Sequence, residues 1–510
     1  MTLPEIRDRQ EGFAGGLNTS SDDAALANNE CRVLANAQLS TRGAATKRGG
    51  TQRTLASPLA AAIRGGLSWQ QTASVQQVLV ANGRLWTGTL GIPMTLTDRG
   101  GTLSTTVYPT LAVFKGPTAE GVYIADGGAL NFWNGTTLTE NIANTPALES
   151  IVAWGPRLFG FKDDTVYWSS TTSGINGHTL GALAGGGQAI VRTYGGQELI
   201  AGAPLKNSLL MFHRSAISRF TGATLDDINI EAGTSGISGD VGTVAKRSII
   251  TVENAVYFLT DRGVFAASET SVEPVSSPLE RTLAGLTKTQ WAQVAAVHAR
   301  AFNEVRWAIP GVGIFVYNYR TQGWSGPWTG AFTSSGVTAM WDATDTDGRN
   351  VILTGHDDGH LLWNDRGGIF LDNVTSASTG GSTYPFVVQC KRFYGQDYTL
   401  TKSWRTVYVL GDIPDPANAS YEVTSGGQTI TGAIPYDAPM AALTLTWGDP
   451  TTTWGAAGTV WGAGAAAGLE RARMALHGTA PWCDVTVRYT GDAACRISII
   501  DVMGYARRRR

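Results

Sequence analysis

The sequence predicts an all-β protein: a β-propeller of six to seven blades, followed by a C-terminal β-sandwich or barrel domain. Three observations carry this. One hairpin pattern recurs at even spacing along the middle of the chain. The composition pairs 63 Gly and 16 Trp with only 16% charged residues. Beyond about residue 384 the strands alternate more cleanly and the chain changes character.

In the recurring pattern a short apolar strand meets a Gly, Asn or Asp turn, and a second strand ends near an aromatic. The pattern ends at Trp86, Trp133, Trp168, Phe220, Phe265, Tyr317 and Trp363. The mean step is about 46 residues, the length of a four-stranded propeller blade. Turns such as Ala125-Asp-Gly127, Thr260-Asp-Arg-Gly263 and Asp357-Asp-Gly359 suit the tight connections of inner or middle strand pairs. A large antiparallel sandwich would use the same hairpins. Even spacing favours the propeller, because radial repetition leaves only short, protected edges. Glycine supplies positive φ in such turns, and aromatics fill sheet faces.

The domain organisation follows in chain order: an N-terminal arm over 1–60, the propeller over 61–366, a linker over 367–384 and a β-rich domain over 385–510. The linker is rich in Ser, Thr and Gly and has no hydrophobic period. Strands are expected at 406–410, 420–424, 442–447, 483–489 and 496–502. One or two short helices between blades are expected over 278–286 and 289–297, where apolar residues fall at three- and four-residue steps. Another is expected over Asp22–Glu30, capped by Ser20 or Ser21.

The net charge of −2 argues against a non-specific nucleic-acid binder, which needs a basic face. Disorder is excluded by the aromatic content and low net charge. Met1–Gln10 is polar and no run of about 18 apolar residues exists, so neither a signal peptide nor membrane insertion is expected. Cys31, Cys390, Cys483 and Cys495 fit no zinc spacing and read as free thiols of a reducing compartment.

The first fifty residues carry the functional signal. They run Phe13-Ala-Gly15-Gly16-Leu17-Asn18, then an acidic, alanine-rich stretch, then Cys31-Arg-Val-Leu-Ala-Asn36, then Leu39-Ser-Thr-Arg-Gly43-Ala-Ala-Thr-Lys-Arg48-Gly49-Gly50. This order resembles the N-terminus of the tail nozzle proteins of short-tailed bacteriophages. The resemblance covers about fifty residues. It implies structural roles for Gly15, Gly16, Leu17, Asn18, Asn36, Gly43, Arg48 and Gly49. It also implies a platform domain in which N-terminal and C-terminal segments come together, and a sixfold homo-oligomeric ring beneath the portal-adaptor proteins. Such a ring conducts genomic DNA during ejection, carries tail fibres or spikes, and is built in the host cytoplasm into the virion tail. The chain lacks an obvious long inserted tip domain, so another protein is expected to close the tail. Repeated Trp-Gly pairs at 447, 454 and 461 are also familiar from phage tail proteins.

Leu17, Leu34 and Leu39 are expected to be buried, Gly43 to sit in a tight turn, and Arg48 to pair with a carboxylate or with carbonyls. The arm's alternating apolar positions need a sheet or groove to cover them.

No catalytic constellation and no cofactor motif emerges. His356-Asp-Asp-Gly-His360 has metal-like spacing, but its centre reads as a hairpin turn. Asp345-Thr-Asp347-Gly348 opens like a calcium loop yet has His356 where a bidentate Glu belongs. Gly462–Gly468 has the wrong spacing for a dinucleotide fingerprint. Asp163-Asp164 and Asp226-Asp227 are adjacent residues, which on a strand point to opposite faces. Trp324 and Trp328 flank Gly-Pro in an expected loop and fit either an interface or the blade core. The Arg507, Arg508, Arg509, Arg510 tail fits either a solvated end or docking onto an acidic neighbour or DNA phosphate. The competing function is a propeller that binds or cleaves glycans.

Overall fold

The computed structural model describes residues 5–71, 74–116, 120–171, 186–193, 197–222, 227–345, 347–375, 380–395, 397, 399–434 and 470–506. The expected strand at 442–447, the Trp-Gly repeats at 447, 454 and 461, the segment Gly462–Gly468, Asp226 and Arg507–Arg510 lie outside these residues. The chain divides into two compact units: residues 1–48, 321–325 and 383–510, and residues 49–320 and 326–382.

The second unit is the propeller. Each blade begins with an inner strand: Ile63–Gln70, Thr110–Lys115, Ser150–Trp154, Leu199–Pro204, Ile250–Val252, Ala295–Ala299 and Val337–Thr344. Six blades are self-contained antiparallel sheets of four strands. The remaining set, Ala295–Ala299, Glu304–Ile309, Gly313–Asn318 and Gly323–Trp328, supplies four strands in the same order and makes a seventh. The hairpins legible in the sequence are the middle pairs throughout, as with Val75–Ala81 against Arg84–Gly88 and Ala255–Thr260 against Gly263–Ala267.

Apolar clusters fill the spaces between successive blades. Val78, Val80 and Trp133 share one; Phe159, Phe161, Leu209 and Phe220 share another. Indole N–H groups tie neighbours together: Trp133 donates to Gln76 Oε1 (2.8 Å), Trp154 to Leu205 O (3.0 Å) and Trp307 to Ser248 O (3.2 Å). The last blade meets the first through Thr338 Oγ1, which donates to Ile63 O (2.6 Å), and through Trp341 Nε1, which donates to Gln77 Oε1 (3.2 Å).

The closing strand comes from far upstream. Thr51–Arg53 pairs antiparallel with Leu361–Asn364 as the fourth strand of the last blade. The division between units therefore falls at 48/49 and not at 60/61. At the other end, most of the expected linker belongs to the propeller unit. Asp372 exchanges backbone hydrogen bonds with Ser382 (both 2.8 Å), and its Oδ2 accepts the Ala331 N–H (3.0 Å).

The first unit holds two sheets. In one, Lys402–Asp412 lies between Glu470–Ala480 and Arg496–Ala506; Glu5–Gln10 and Ala45–Lys47 both pair with Arg496–Ala506. The other runs from Gly16–Leu17 through Glu30–Ala35, Phe386–Cys390, Asp484–Tyr489 and Ala419–Ser425 to Gln428–Ala433. In Asp484–Tyr489, Val485, Val487 and Tyr489 are fully buried, Thr486 between them is nearly so, and Arg488 is exposed.

Helix is scarce. Glu280–Leu283 and Lys288–Gln293 are helical, the second with a Thr287/Gln290 capping box, but the helix expected over 289–297 stops at Gln293 because Ala295–Ala299 pairs as a blade's inner strand. Asp22–Glu30 does not form a helix. Its backbone closes two separate turns, Ala25 N–H to Asp22 O (2.8 Å) and Glu30 N–H to Ala27 O (3.1 Å), the Glu30 carboxylate accepts the Ala27 N–H (3.0 Å), and Glu30 is already the first residue of a strand beside Gly16. The 321–329 segment, expected as a loop, contains the strand Gly323–Trp328. Among the described residues no helix is long and apolar enough to cross a membrane.

Candidate interaction surfaces

The motif residues of the N-terminal arm converge within the first unit. Gly16 adopts φ +74°, and a Cβ there would overlap the backbone N and O of Trp324, with which Gly16 pairs in parallel. Only glycine meets both demands. Gly15 lies against the side chains of Asn29 and Glu30. Leu17 pairs with Cys31, and the Asn18 N–H donates to Cys31 O (2.8 Å). Asn18 also donates from Nδ2 to Ser21 Oγ (3.0 Å) and Glu30 Oε1 (3.1 Å). Gly43 (φ +80°) closes the turn from Ser40 and gives its carbonyl to the Phe13 N–H (2.7 Å). Leu17, Leu34 and Leu39 are buried, as expected.

Asn36, Arg48 and Tyr384 form the arm's polar anchor. Asn36 occupies the left-handed region (φ +52°), a conformation Asn tolerates better than most residues. Its Oδ1 accepts from Arg48 Nε (3.1 Å), its carbonyl accepts the Arg48 N–H (3.0 Å), and its Nδ2 donates to Pro385 O (2.7 Å). The Arg48 guanidinium stacks 3.6 Å from the Tyr384 ring centroid, and Tyr384 OH donates to Arg48 O (2.6 Å). Arg48 is fully buried and acts as a bolt between the arm and residues 384–385. Gly49 falls in the propeller unit, where a Cβ would come within 2.6 Å of Asp365 Cα.

A charged groove of 640 Å³ opens in the same unit, lined by Arg7, Asp8, Arg9, Glu11, Asp23, Lys391 and Arg392 among others. Arg7 and Arg9 both donate to Asp501, which is nearly inaccessible. Burial acts to raise the Asp501 carboxyl, but hydrogen bonds from the two guanidinium groups hold it below the usual carboxylate range. Lys391 Nζ bridges Asp8 Oδ1 (2.9 Å) and Asn28 Oδ1 (2.7 Å), and Asp8 Oδ2 takes the N–H groups of Tyr394 and Gly395. Arg392 pairs with Asp484 (2.9 Å) and Asp23 (3.0 Å) and stacks on Trp482 (4.2 Å). Asp8, Asp23, Asp484 and Asp501 each already accept from a cation or a backbone N–H, so the groove suits hydrogen-bonded docking of a polar surface better than acid–base chemistry. Sequence reasoning missed this groove. Its trace was the Arg7-Asp8-Arg9 alternation, which puts both arginines on one face of a strand.

The remaining sequence candidates fall elsewhere. Trp324 and Trp328 are each only 1% exposed, so they are not surface anchors within this chain. Trp324 backs Gly16, and Trp328 packs against Phe332 and lies 4.5 Å from the Arg306 guanidinium. Buried His356 faces Ser335 (3.0 Å) through Nδ1 and Thr354 Oγ1 (3.1 Å) through Nε2, so both ring nitrogens are engaged within the blade. Asp345 Oδ1 accepts the N–H groups of Asp347 (2.9 Å) and Arg349 (2.7 Å) in a local turn. Asp163, at φ +50°, sits in the turn between Arg157–Lys162 and Thr165–Trp168. The four cysteines are free and buried, and burial pushes their thiols up, to about 12 at Cys495.

No family profile and no curated protein matches this chain. Among solved structures, the extracellular domain of a putative hybrid two-component system from B. thetaiotaomicron aligns at 11% identity with a TM-score of 0.43. The alignment covers 63% of this chain and 40% of that one, so this chain spans well under half of that structure's length.

Proposed function

We propose that this chain is a structural subunit of a bacteriophage tail nozzle, a ring below the portal-adaptor proteins that conducts DNA and offers docking surface to tail fibres or spikes. One observation carries the reading. Residues 1–48 and 383–510 belong to one compact unit with a propeller inserted between them, the organisation that the resemblance of the first fifty residues implies. The motif residues support it by their roles: Gly16 and the Asn36–Arg48 pair fasten the arm into that unit. The charged groove is a suitable rim for a neighbouring subunit or a fibre. A ring that encloses DNA needs head-to-tail contacts with closing rotational symmetry.

The test is negative-stain imaging of the purified oligomer, alongside a particle lacking this chain. A closed ring, sixfold in projection, and loss of DNA retention on deletion are expected. A stable monomer, or a deletion particle that still retains its DNA, overturns the proposal. Cleavage of host polysaccharide by the purified chain would favour the glycan-active alternative.

A further inference from the structure

The propeller's central cavity holds three cations that, among the described residues, have no carboxylate within ion-pair distance. It measures 220 Å³ and is lined by residues of the inner strands together with Arg64, Lys246 and Arg247. Its walls are small at Gly65, Gly66, Ala201, Gly202, Ala296 and Ala339, which leaves room where the strands converge. Since one water needs roughly 10–15 Å³ of such volume, a small ion and several waters fit.

The three cations are held from different parts of the ring. Arg64 lies on the first inner strand and donates to Thr106 O (3.1 Å). Lys246 and Arg247 form a single turn ahead of the fifth. Lys246 Nζ donates to Glu149 O (2.8 Å), a backbone carbonyl and not a carboxylate. Arg247 donates to Thr338 O and Gln293 O (2.6 Å), and its guanidinium lies 3.8 Å from the Tyr108 ring centroid. Arg64 flanks the same ring at 5.1 Å. Among the described residues none of the three makes an ion pair, and Arg247 Nε is sealed from solvent with no acceptor. Burial pulls Lys246 down to about 8, with Arg247 adding to the fall and Glu149 opposing it at longer range. Burial likewise pulls Arg247 down to about 10. Charges gathered without a counter-charge are costly unless something negative joins them.

We propose that this cavity is a binding site for a small oxyanion of the phosphate or carboxylate class, clamped by Arg64, Lys246 and Arg247. Guanidinium groups bind such anions through paired N–H donors, and the ammonium adds a point charge. The site is independent of the ring assembly proposed above, so either can fail without the other.

The experiment is calorimetric titration of the full chain with sodium phosphate and, separately, sodium acetate, with ionic strength held constant by chloride. Arg64→Gln and Lys246→Gln are the variants. Arg247 is left intact because its guanidinium ties two backbone carbonyls. A saturable signal at one site per chain is expected for at least one anion, weakened about tenfold or more in each variant. The stronger of the two anions identifies the ligand class. Thermal melts should show the same anion raising the wild-type midpoint, with a smaller rise in the variants. This control separates binding from the general stabilisation that phosphate gives any fold. No saturable signal with either anion, or equal affinities in wild type and both variants, overturns the proposal.

Discussion

At the residue scale, the buried charges of the propeller carry the sharpest consequences. Arg306 is fully buried between Glu304 Oε2, which its Nη2 reaches at 2.7 Å, and Asp365 Oδ2. Burial alone would lower this guanidinium, but its two acidic neighbours raise it above its ordinary value. Arg306→Met leaves two carboxylates buried and uncompensated, and should cost about 3–5 kcal/mol at neutral pH by denaturant unfolding. The loss should shrink in acid as the carboxylates protonate. Glu304→Gln leaves one balanced pair and should cost less; an equal cost in both variants would refute the charge account. His213 and His356 set a second expectation. Burial lowers both below the ordinary histidine value of about 6.5. Around His356, Ser335, Asp357 and Asp358 oppose the shift and His360 adds to it. The folded state thus binds fewer protons than the unfolded chain. Their contribution is fully present above pH about 6.5 and is lost as pH falls through the lower folded-state value. Thermal midpoints measured from pH 7.5 to 5.5 should decline, and His356→Gln should flatten the decline.

At the element scale, the N-terminal arm is a set of strands and turns built into sheets, not a tail. Glu5–Gln10 pairs along Arg496–Ala506, and Glu30–Ala35 pairs with Phe386–Cys390. Gly16→Ala tests how tightly it is fastened. A non-glycine residue at positive φ costs about 1–3 kcal/mol. Overlap with the Trp324 backbone adds about 1–3 kcal/mol. Unfolding measurements should therefore show a loss of several kcal/mol, whereas Gly100→Ala, where a Cβ meets nothing within 4 Å, should show only the backbone part. In limited proteolysis the described arm, 5–48, should resist cleavage in wild type and be released early in Gly16→Ala. Rapid cleavage of the arm in the wild-type chain would contradict its place in the sheets.

At the scale of the whole molecule, charge is the guide. A net charge of −2 gives little bulk attraction to phosphate backbones. Isolated chains should bind duplex DNA no tighter than about 10⁻⁵ M, with a shallow salt dependence. Tight binding with a steep salt slope would contradict the conduit reading. A conduit needs DNA to slide, and each neutralised phosphate adds salt-dependent affinity.

The sequence by itself determined what local chemistry dictates. Hairpin turns such as Thr260–Gly263 depend on residues that tolerate positive φ, so all seven middle strand pairs were legible, and with them the blade spacing. The burial of Leu17, Leu34 and Leu39 and the turn at Gly43 were legible for the same reason, since period and turn residues are local signals. The tertiary structure decided what depends on partners hundreds of residues away. Thr51–Arg53 became the last blade's fourth strand because Leu361–Asn364 offered an open edge. Asp22–Glu30 turned instead of coiling because Glu30 is drawn into a strand beside Gly16 and its carboxylate takes the Ala27 N–H. Trp324 and Trp328 went inside because their segment is a strand and not a loop, Trp324 pairing through its backbone with Gly16 and Trp328 packing against Phe332. The charged groove and the cationic cavity were hidden for the same reason. Arg7 meets Asp501, and Arg64 joins Lys246 and Arg247, only after the chain has closed on itself, and no spacing in the sequence records that meeting.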